Sequence, residues 1–152
     1  MKPRLAYATL IFILLIGFIA GVLLLNRPTC AETYRSDEQV LANGHKVNVQ
    51  IARTSAEQEK GLGGKKCLAA NQGMLFRFSK SGFYPFWMKD THFSIDIVWI
   101  DSVHRVADIR ANIQPSSYPK SFTNSSAAED VLELSAGDAN KLGLETGSYI
   151  YY

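Results

Sequence analysis

Apolar and polar residues alternate along several short segments of this chain, and this alternation predicts strands. In the segment 46–52 every second residue is apolar, and Asn43-Gly44 just before it is typical of a two-residue hairpin turn. The segment 93–101 has the same pattern and is the strongest predicted strand. Further strands are predicted at 38–41, 74–78, 86–88, 104–113, 127–134 and 148–152.

Two segments have a helical pattern instead. Thr54 or Ser55 begins the first helix, because Glu57 follows at the spacing of a capping box and a glycine-rich run ends the segment. The second predicted helix covers 136–142. Short strands with frequent turns predict a mainly β fold. We expect a single compact β-sandwich of jelly-roll type, or an open barrel, with two short helices.

The N-terminal segment differs from the rest, because the run from Leu5 to Leu25 contains no charged residue. At about 1.5 Å per residue, this run is long enough to cross the roughly 30 Å apolar core of a bilayer. We predict a cytoplasmic basic flank at 1–4, a transmembrane helix at 5–25, a linker at 26–37 and an exported β-domain at 38–152. This topology makes a single-pass membrane protein with a periplasmic or extracellular domain. The alternative is a signal peptide cleaved after Ala31, which leaves a secreted or periplasmic domain.

Charge is divided unevenly along the chain. The formal net charge is +2, but three of the 16 basic residues precede Cys30, whereas all 14 acidic residues follow it. The predicted domain is therefore close to neutral and has no basic excess for binding a phosphate backbone. We predict no nucleic-acid partner, and the membrane is a predicted partner through the N-terminal helix.

The two cysteines, Cys30 and Cys67, leave two interpretations open. In an exported chain, two cysteines favour a disulfide. However, Cys30 lies in the predicted linker and Cys67 in a predicted surface loop, so two free thiols are equally compatible with the sequence. Neither has a Cys-x-x-Cys partner that would indicate a redox centre.

Charged residues interrupt the aromatic segment 83–101. Lys89, Asp90 and Asp96 lie inside this segment, and a buried charge is costly unless it is paired. One interpretation is an internal ion pair between Lys89 and Asp96 that sets the register of two strands. The other is a pocket for a small polar ligand with apolar faces, such as a carbohydrate. Its predicted ligand-binding residues are Trp87, Lys89, Asp90, Asp96 and Trp99.

The sequence contains no strong catalytic or metal-binding motif. Asp90, His92 and Asp96 alternate onto one face of a predicted strand, but a single histidine without a recognised ligand spacing does not define a metal site. There is no Gly-x-Ser-x-Gly nucleophile motif and no phosphate-binding loop that ends in Gly-Lys-Ser/Thr. We therefore predict no catalytic residue, no metal and no cofactor.

Several short motifs follow one another in an order that resembles a known family. They are Gly61-Leu62, Gly73-Met74-Leu75-Phe76, Phe86-Trp87-Met88-Lys89, Ile95-Asp96, Gln114-Pro115 and Val131-Leu132-Glu133-Leu134. Together they resemble the family catalogued as domain of unknown function 192 (DUF 192). Asp90 and Ser94 depart from the Asn and Pro that are common in that family. The resemblance implies a compact, mainly β domain of jelly-roll or barrel type, often behind a signal or membrane anchor, and no settled activity.

These observations favour a non-enzymatic function. We expect a membrane-anchored binding module for a small polar ligand, such as a carbohydrate, or for an envelope protein partner. The alternative is an envelope enzyme that acts on carbohydrate or lipid-linked substrates through Lys89 and Asp96. The two functions differ in whether those side chains reach an open cleft.

Overall fold

A computed structural model describes Cys30, Glu32 and residues 34–152. The predicted flank at 1–4 and the predicted transmembrane helix at 5–25 lie outside the described residues. Among the residues that are described, no helix combines the length and the apolar character needed to cross a membrane.

The described part of the chain is mainly β. Its strands, in chain order, are β1 Glu38–Ala42, β2 His45–Ala52, β3 Gln72–Gly82, β4 Phe86–Trp87, β5 Ile95–Ile100, β6 Val106–Ile113, β7 Ser121–Phe122, β8 Ala128–Ser135 and β9 Ile150–Tyr151. The predicted hairpin is confirmed, because β1 and β2 pair antiparallel on either side of Asn43 and Gly44, both with positive φ.

Seven of these strands form one curved sheet in the order β6-β5-β8-β3-β2-β1-β9, and β4 pairs with β7 in a separate ribbon. The pairing of β2 with β3 is parallel, while the other neighbours are antiparallel. The two edges approach each other where Ile150 donates its N–H to the His104 carbonyl over 3.0 Å. The sheet is therefore a half-barrel. The open-barrel prediction is confirmed and the sandwich alternative is wrong, because these seven strands share one sheet.

Both predicted helices are confirmed. Helix α1, Ser55–Lys60, begins with a capping box in which Thr54 and Glu57 each accept a hydrogen bond from the other's backbone N–H. It lies in the crossover between the parallel strands β2 and β3. Helix α2 covers Asp138–Lys141, and a short 3-10 helix covers Pro115–Ser117.

The sheet buries side chains on both faces, and strand alternation assigns each residue to one face. The Leu132 face carries an apolar core that includes Val49, Leu75, Val98, Leu132 and Ile150. The Glu133 face carries a second core that includes Met74, Phe76, Ile97, Trp99 and Val131. Partly buried aromatic rings, among them Phe78 and Phe86, cover the second core. The face under these rings is where the site lies.

Candidate functional site

The start of the aromatic segment, residues 84–87, lies over the Glu133 face and forms an aromatic cover. Phe86 packs edge-on against Phe76, with ring centroids 4.8 Å apart, and also edge-on against Trp99. Trp99 is fully buried and donates its indole Nε1–H to the Tyr84 carbonyl over 3.1 Å. These contacts hold the segment that precedes β5 against the sheet.

A cleft lies between this cover and the end of α1. Its volume is about 220 Å³, and one side consists of α1 with the Gly61-Leu62 turn. The other side is mostly aromatic and includes Phe76, Phe78, Tyr84, Phe86 and Trp87. Trp87 is 41% exposed. An apolar, ring-lined concavity of this kind is typical of small-ligand sites.

Glu133 also lines this cleft. It lies in the middle of β8, between Met74 of β3 and Ile97 of β5, and is 3% exposed. Its Oε2 atom has no hydrogen-bond partner. Burial raises the pKa of Glu133 to about 8, although a hydrogen bond from the Leu62 backbone acts in the opposite direction. The side chain is therefore mostly a neutral acid at pH 7.

Gly61 allows the α1 turn to approach this carboxyl group. A Cβ atom at Gly61 would lie 3.3 Å from Glu133 Oε2 and 3.4 Å from Phe76 Cζ, and the residue has a φ of 51°. A side chain here would therefore be strained and would crowd the carboxyl. The glycine that ends the helix also shapes the cleft.

The structure contradicts the predicted ion pair between Lys89 and Asp96. Asp96 is fully buried on the Leu132 face, where Oδ1 accepts the Asn112 N–H over 2.8 Å and Oδ2 accepts the Ala139 N–H over 3.0 Å. Lys89 is exposed, and no salt bridge within the described residues includes it. The prediction is wrong because backbone N–H groups satisfy the Asp96 carboxylate instead.

The five predicted ligand-binding residues do not form one pocket. Trp87 lines the cleft over Glu133, whereas Lys89 and Asp90 line a second, more open depression of about 510 Å³ together with His92. Asp96 and Trp99 are fully buried and line neither. The structure likewise separates buried Asp96 from exposed Asp90 and His92, although the sequence pattern assigns all three to one face of a strand. Ligand binding by Trp87, Lys89 and Asp90 stays a prediction.

Sequence reasoning missed Glu133 as a site residue, although a signal was present. The strand 128–135 is apolar around Glu133, and its neighbours Val131, Leu132 and Leu134 are all buried. A carboxylate among buried apolar neighbours is costly unless something compensates it. That cost makes Glu133 a candidate site residue.

A disulfide fastens the predicted linker to the domain. Cys30 and Cys67 are bonded, with their Cα atoms 5.7 Å apart. The Glu32 carboxylate accepts the Lys66 N–H over 2.8 Å, and the Tyr34 hydroxyl donates to the Gly73 carbonyl. The structure thus decides the open question about the cysteines in favour of the disulfide.

Comparison with solved structures finds two similar proteins. A protein of unknown function from Novosphingobium aromaticivorans DSM 12444 is 28% identical, with a TM-score of 0.72 over 84% of this chain and 99% of that chain. A protein from Sinorhizobium meliloti 1021, described as a candidate transcription regulator, is 27% identical, with a TM-score of 0.70 over 78% of this chain and 96% of that chain. A search of the curated proteins finds no match.

A family assignment follows from the sequence match. Residues 38–152 match the family DUF192, whose description is "Uncharacterized ACR". This range includes both helices, all the strands of the half-barrel and the cleft over Glu133. The resemblance inferred from the sequence motifs is therefore confirmed, and the chain belongs to the DUF192 family.

Proposed function

We propose that this domain is a binding module for a small ligand with an apolar body and one polar group. The cleft over Glu133 is the proposed site. The observation that carries the proposal is an unpartnered, buried carboxyl oxygen beside a cleft walled by aromatic rings. Of the residues predicted from sequence, Trp87 belongs to this site, and Glu133 replaces Asp96 as its charged group.

The alternative of an enzyme that uses Lys89 and Asp96 has less support. A general acid or base must come within hydrogen-bonding distance of the reacting atom. Asp96 is sealed in the core, and both of its oxygens accept backbone N–H groups. Lys89 lies at the second depression. The binding function is therefore the better-supported proposal.

We also propose that residues 5–25 anchor the domain to a membrane and that the domain is periplasmic or extracellular. The uncharged run from Leu5 to Leu25 supports the anchor. The disulfide supports an oxidising compartment. It also argues against signal cleavage after Ala31, because that cleavage would remove Cys30 and leave Cys67 without its partner.

Transcription regulation, which is part of the description of the Sinorhizobium meliloti protein, is not our proposal for this chain. DNA-binding proteins carry a basic surface that neutralises phosphates. Here all 14 acidic residues but only 13 of the 16 basic residues follow Ala31, so the domain has no basic excess. Charge balance therefore argues against a nucleic-acid partner.

A ligand screen on the purified full-length protein in detergent tests the binding proposal. Hits from thermal shift are titrated by Trp fluorescence, because Trp87 lies partly exposed at the cleft. We expect Trp87→Ala to weaken binding of a true ligand at least tenfold, or about 1.4 kcal/mol. The matched control is Tyr118→Ala, which removes a 50% exposed ring that does not line the cleft. Equal affinities for the two variants would contradict the proposed site.

A further inference from the structure

The aromatic wall of the cleft restricts what the ligand can be. Rings of Phe76, Phe78, Tyr84, Phe86 and Trp87 border it. The faces of aromatic rings carry partial negative charge and attract cations, most strongly where water is excluded. Aromatic rings also pack against hydrocarbon groups, so these walls suit a ligand that combines an apolar body with a positive charge.

Glu133 lacks a compensating cation. No salt bridge within the described residues includes it, and its Oε2 atom is unpartnered. The titratable groups that face it or share its cleft are Tyr34 from the linker, Glu59 and Lys60 from α1, and Tyr84 from the aromatic cover. Lys60 is exposed and Glu59 beside it carries the opposite charge. A cationic ligand would supply a countercharge for the ionised form of Glu133, which the protein does not.

Apart from Glu59 and Lys60, which are exposed, the polar side chains that share the cleft with Glu133 are few, and those of Gln58 and Thr91 are already bonded. The Gln58 amide donates to the carbonyls of Ala52 and Arg77, and the Thr91 hydroxyl donates to the Lys89 carbonyl. A sugar would bring several hydroxyls that lose water on entering and find few partners among the aromatic rings, which opposes binding. A ligand with one charged head and an apolar body needs only one polar partner.

We propose that the cleft binds an organic ammonium ion, with the ammonium group at Glu133 and the apolar body against the aromatic rings. This inference rests on the proposed binding function and names its ligand class. Glu133 gives up its proton to solvent when the cation binds, so that the bound state holds a carboxylate and an ammonium. The missing Cβ of Gly61 leaves the space beside Oε2 free of a side chain.

Calorimetric titration with n-hexylammonium chloride tests this inference, with 1-hexanol as the neutral compound of matched length and glucose as the sugar. We expect n-hexylammonium to bind and the two neutral compounds to bind at least tenfold more weakly. The affinity should rise by up to about tenfold per pH unit from pH 6 to 8, because Glu133 ionises over that range while the amine stays protonated.

Two variants distinguish binding of the ammonium group at Glu133 from its attraction to Glu59, the exposed carboxylate of the same cleft. Glu133→Gln should weaken n-hexylammonium binding at least tenfold and remove its pH dependence, while circular dichroism shows an intact fold. Glu59→Gln, which alters an exposed carboxylate of the same cleft, should change the affinity less than about threefold.

The outcomes distinguish this inference from the broader proposal. If 1-hexanol or glucose binds as tightly as n-hexylammonium, or if Glu133→Gln leaves ammonium binding unchanged, the ammonium inference is overturned while a binding function stands. If none of these probes and no compound of the screen binds, both the inference and the proposed function are overturned.

Discussion

Two carboxyl groups buried on opposite faces of the half-barrel, those of Asp96 and Glu133, have different environments. Asp96 on the Leu132 face accepts two backbone N–H groups, from Asn112 and Ala139. Glu133 lies on the opposite face, where its Oε2 atom has no hydrogen-bond partner and a cleft walled by aromatic rings lies beside it. Strands β5 and β8, which carry them, are direct neighbours in the sheet.

The difference separates a carboxylate that supports the fold from the carboxyl group of the proposed site. Ala139 lies in the short helix α2, so Asp96 ties that helix and the end of β6 to β5. A carboxyl group that is buried without such partners destabilises the fold, and groups of this kind cluster at functional sites. Burial alone would not distinguish the two residues, whereas their hydrogen bonds do.

The largest expected effect is at Asp96. Asp96→Ala leaves two buried backbone N–H groups without an acceptor, and each hydrogen bond to a charged group contributes about 1.5–3 kcal/mol. We expect the free energy of unfolding to fall by about 3–5 kcal/mol, measured by urea denaturation.

Asp101→Ala is the matched control for this experiment. Asp101 also accepts two backbone N–H groups, from Val103 and Arg105, but in a turn where water can replace it. Its substitution should cost about 1–2 kcal/mol. Equal losses for the two variants would show that Asp96 has no special structural role.

Substitution of Glu133 should stabilise the domain, whereas substitution of Asp96 should destabilise it. Its pKa is raised to about 8 in the folded protein from 4.5, so the folded state holds the proton more tightly than the unfolded state. The contribution of Glu133 to stability is therefore greatest below about pH 4.5 and falls as pH rises toward 8, by up to about 1.4 kcal/mol per pH unit. We expect Glu133→Gln to be about 1–4 kcal/mol more stable than wild type at pH 8.

Urea denaturation at pH 5 and pH 8 measures this effect. The stability advantage of Glu133→Gln should be clearly larger at pH 8 than at pH 5. Glu59→Gln, with an exposed carboxylate, should keep the wild-type dependence on pH. A Glu133→Gln variant that is less stable than wild type at both pH values would mean that Glu133 is a structural carboxylate like Asp96.

The smallest expected effect is at Lys89. An internal ion pair with Asp96 would make Lys89→Met strongly destabilising, since breaking a buried pair costs about 3–5 kcal/mol. Because Lys89 is exposed and forms no such pair, we expect a change within about 0.5 kcal/mol. Thermal denaturation checks it, and a loss above 2 kcal/mol would restore the ion-pair interpretation.

The fold could largely be predicted from local sequence patterns. Asn43-Gly44 specifies its hairpin through backbone conformation, and Thr54 with Glu57 specifies the start of α1 through two short hydrogen bonds. Strand alternation also places Asp96 on the face opposite Trp99, which already argues against one pocket that contains both.

The site could not be predicted in the same way. The cleft forms where the end of α1, the aromatic cover and β8 meet, and these segments are far apart in the sequence. Whether a carboxyl group in a strand finds backbone N–H partners depends on elements such as α2, which pairs with Asp96 across 43 positions. The hypothesis of a Lys89–Asp96 ion pair inferred contact from closeness in sequence. Tertiary packing decides whether two such side chains are in contact.

The central claim is that Glu133 is an uncompensated carboxyl group, and a site-resolved NMR titration tests it most directly. The carboxyl carbon of Glu133 is assigned from its absence in Glu133→Gln and followed from pH 3 to pH 10. We predict a titration midpoint near 8 in the ligand-free protein. A midpoint at or below 4.5, the ordinary value for glutamate, would contradict the claim.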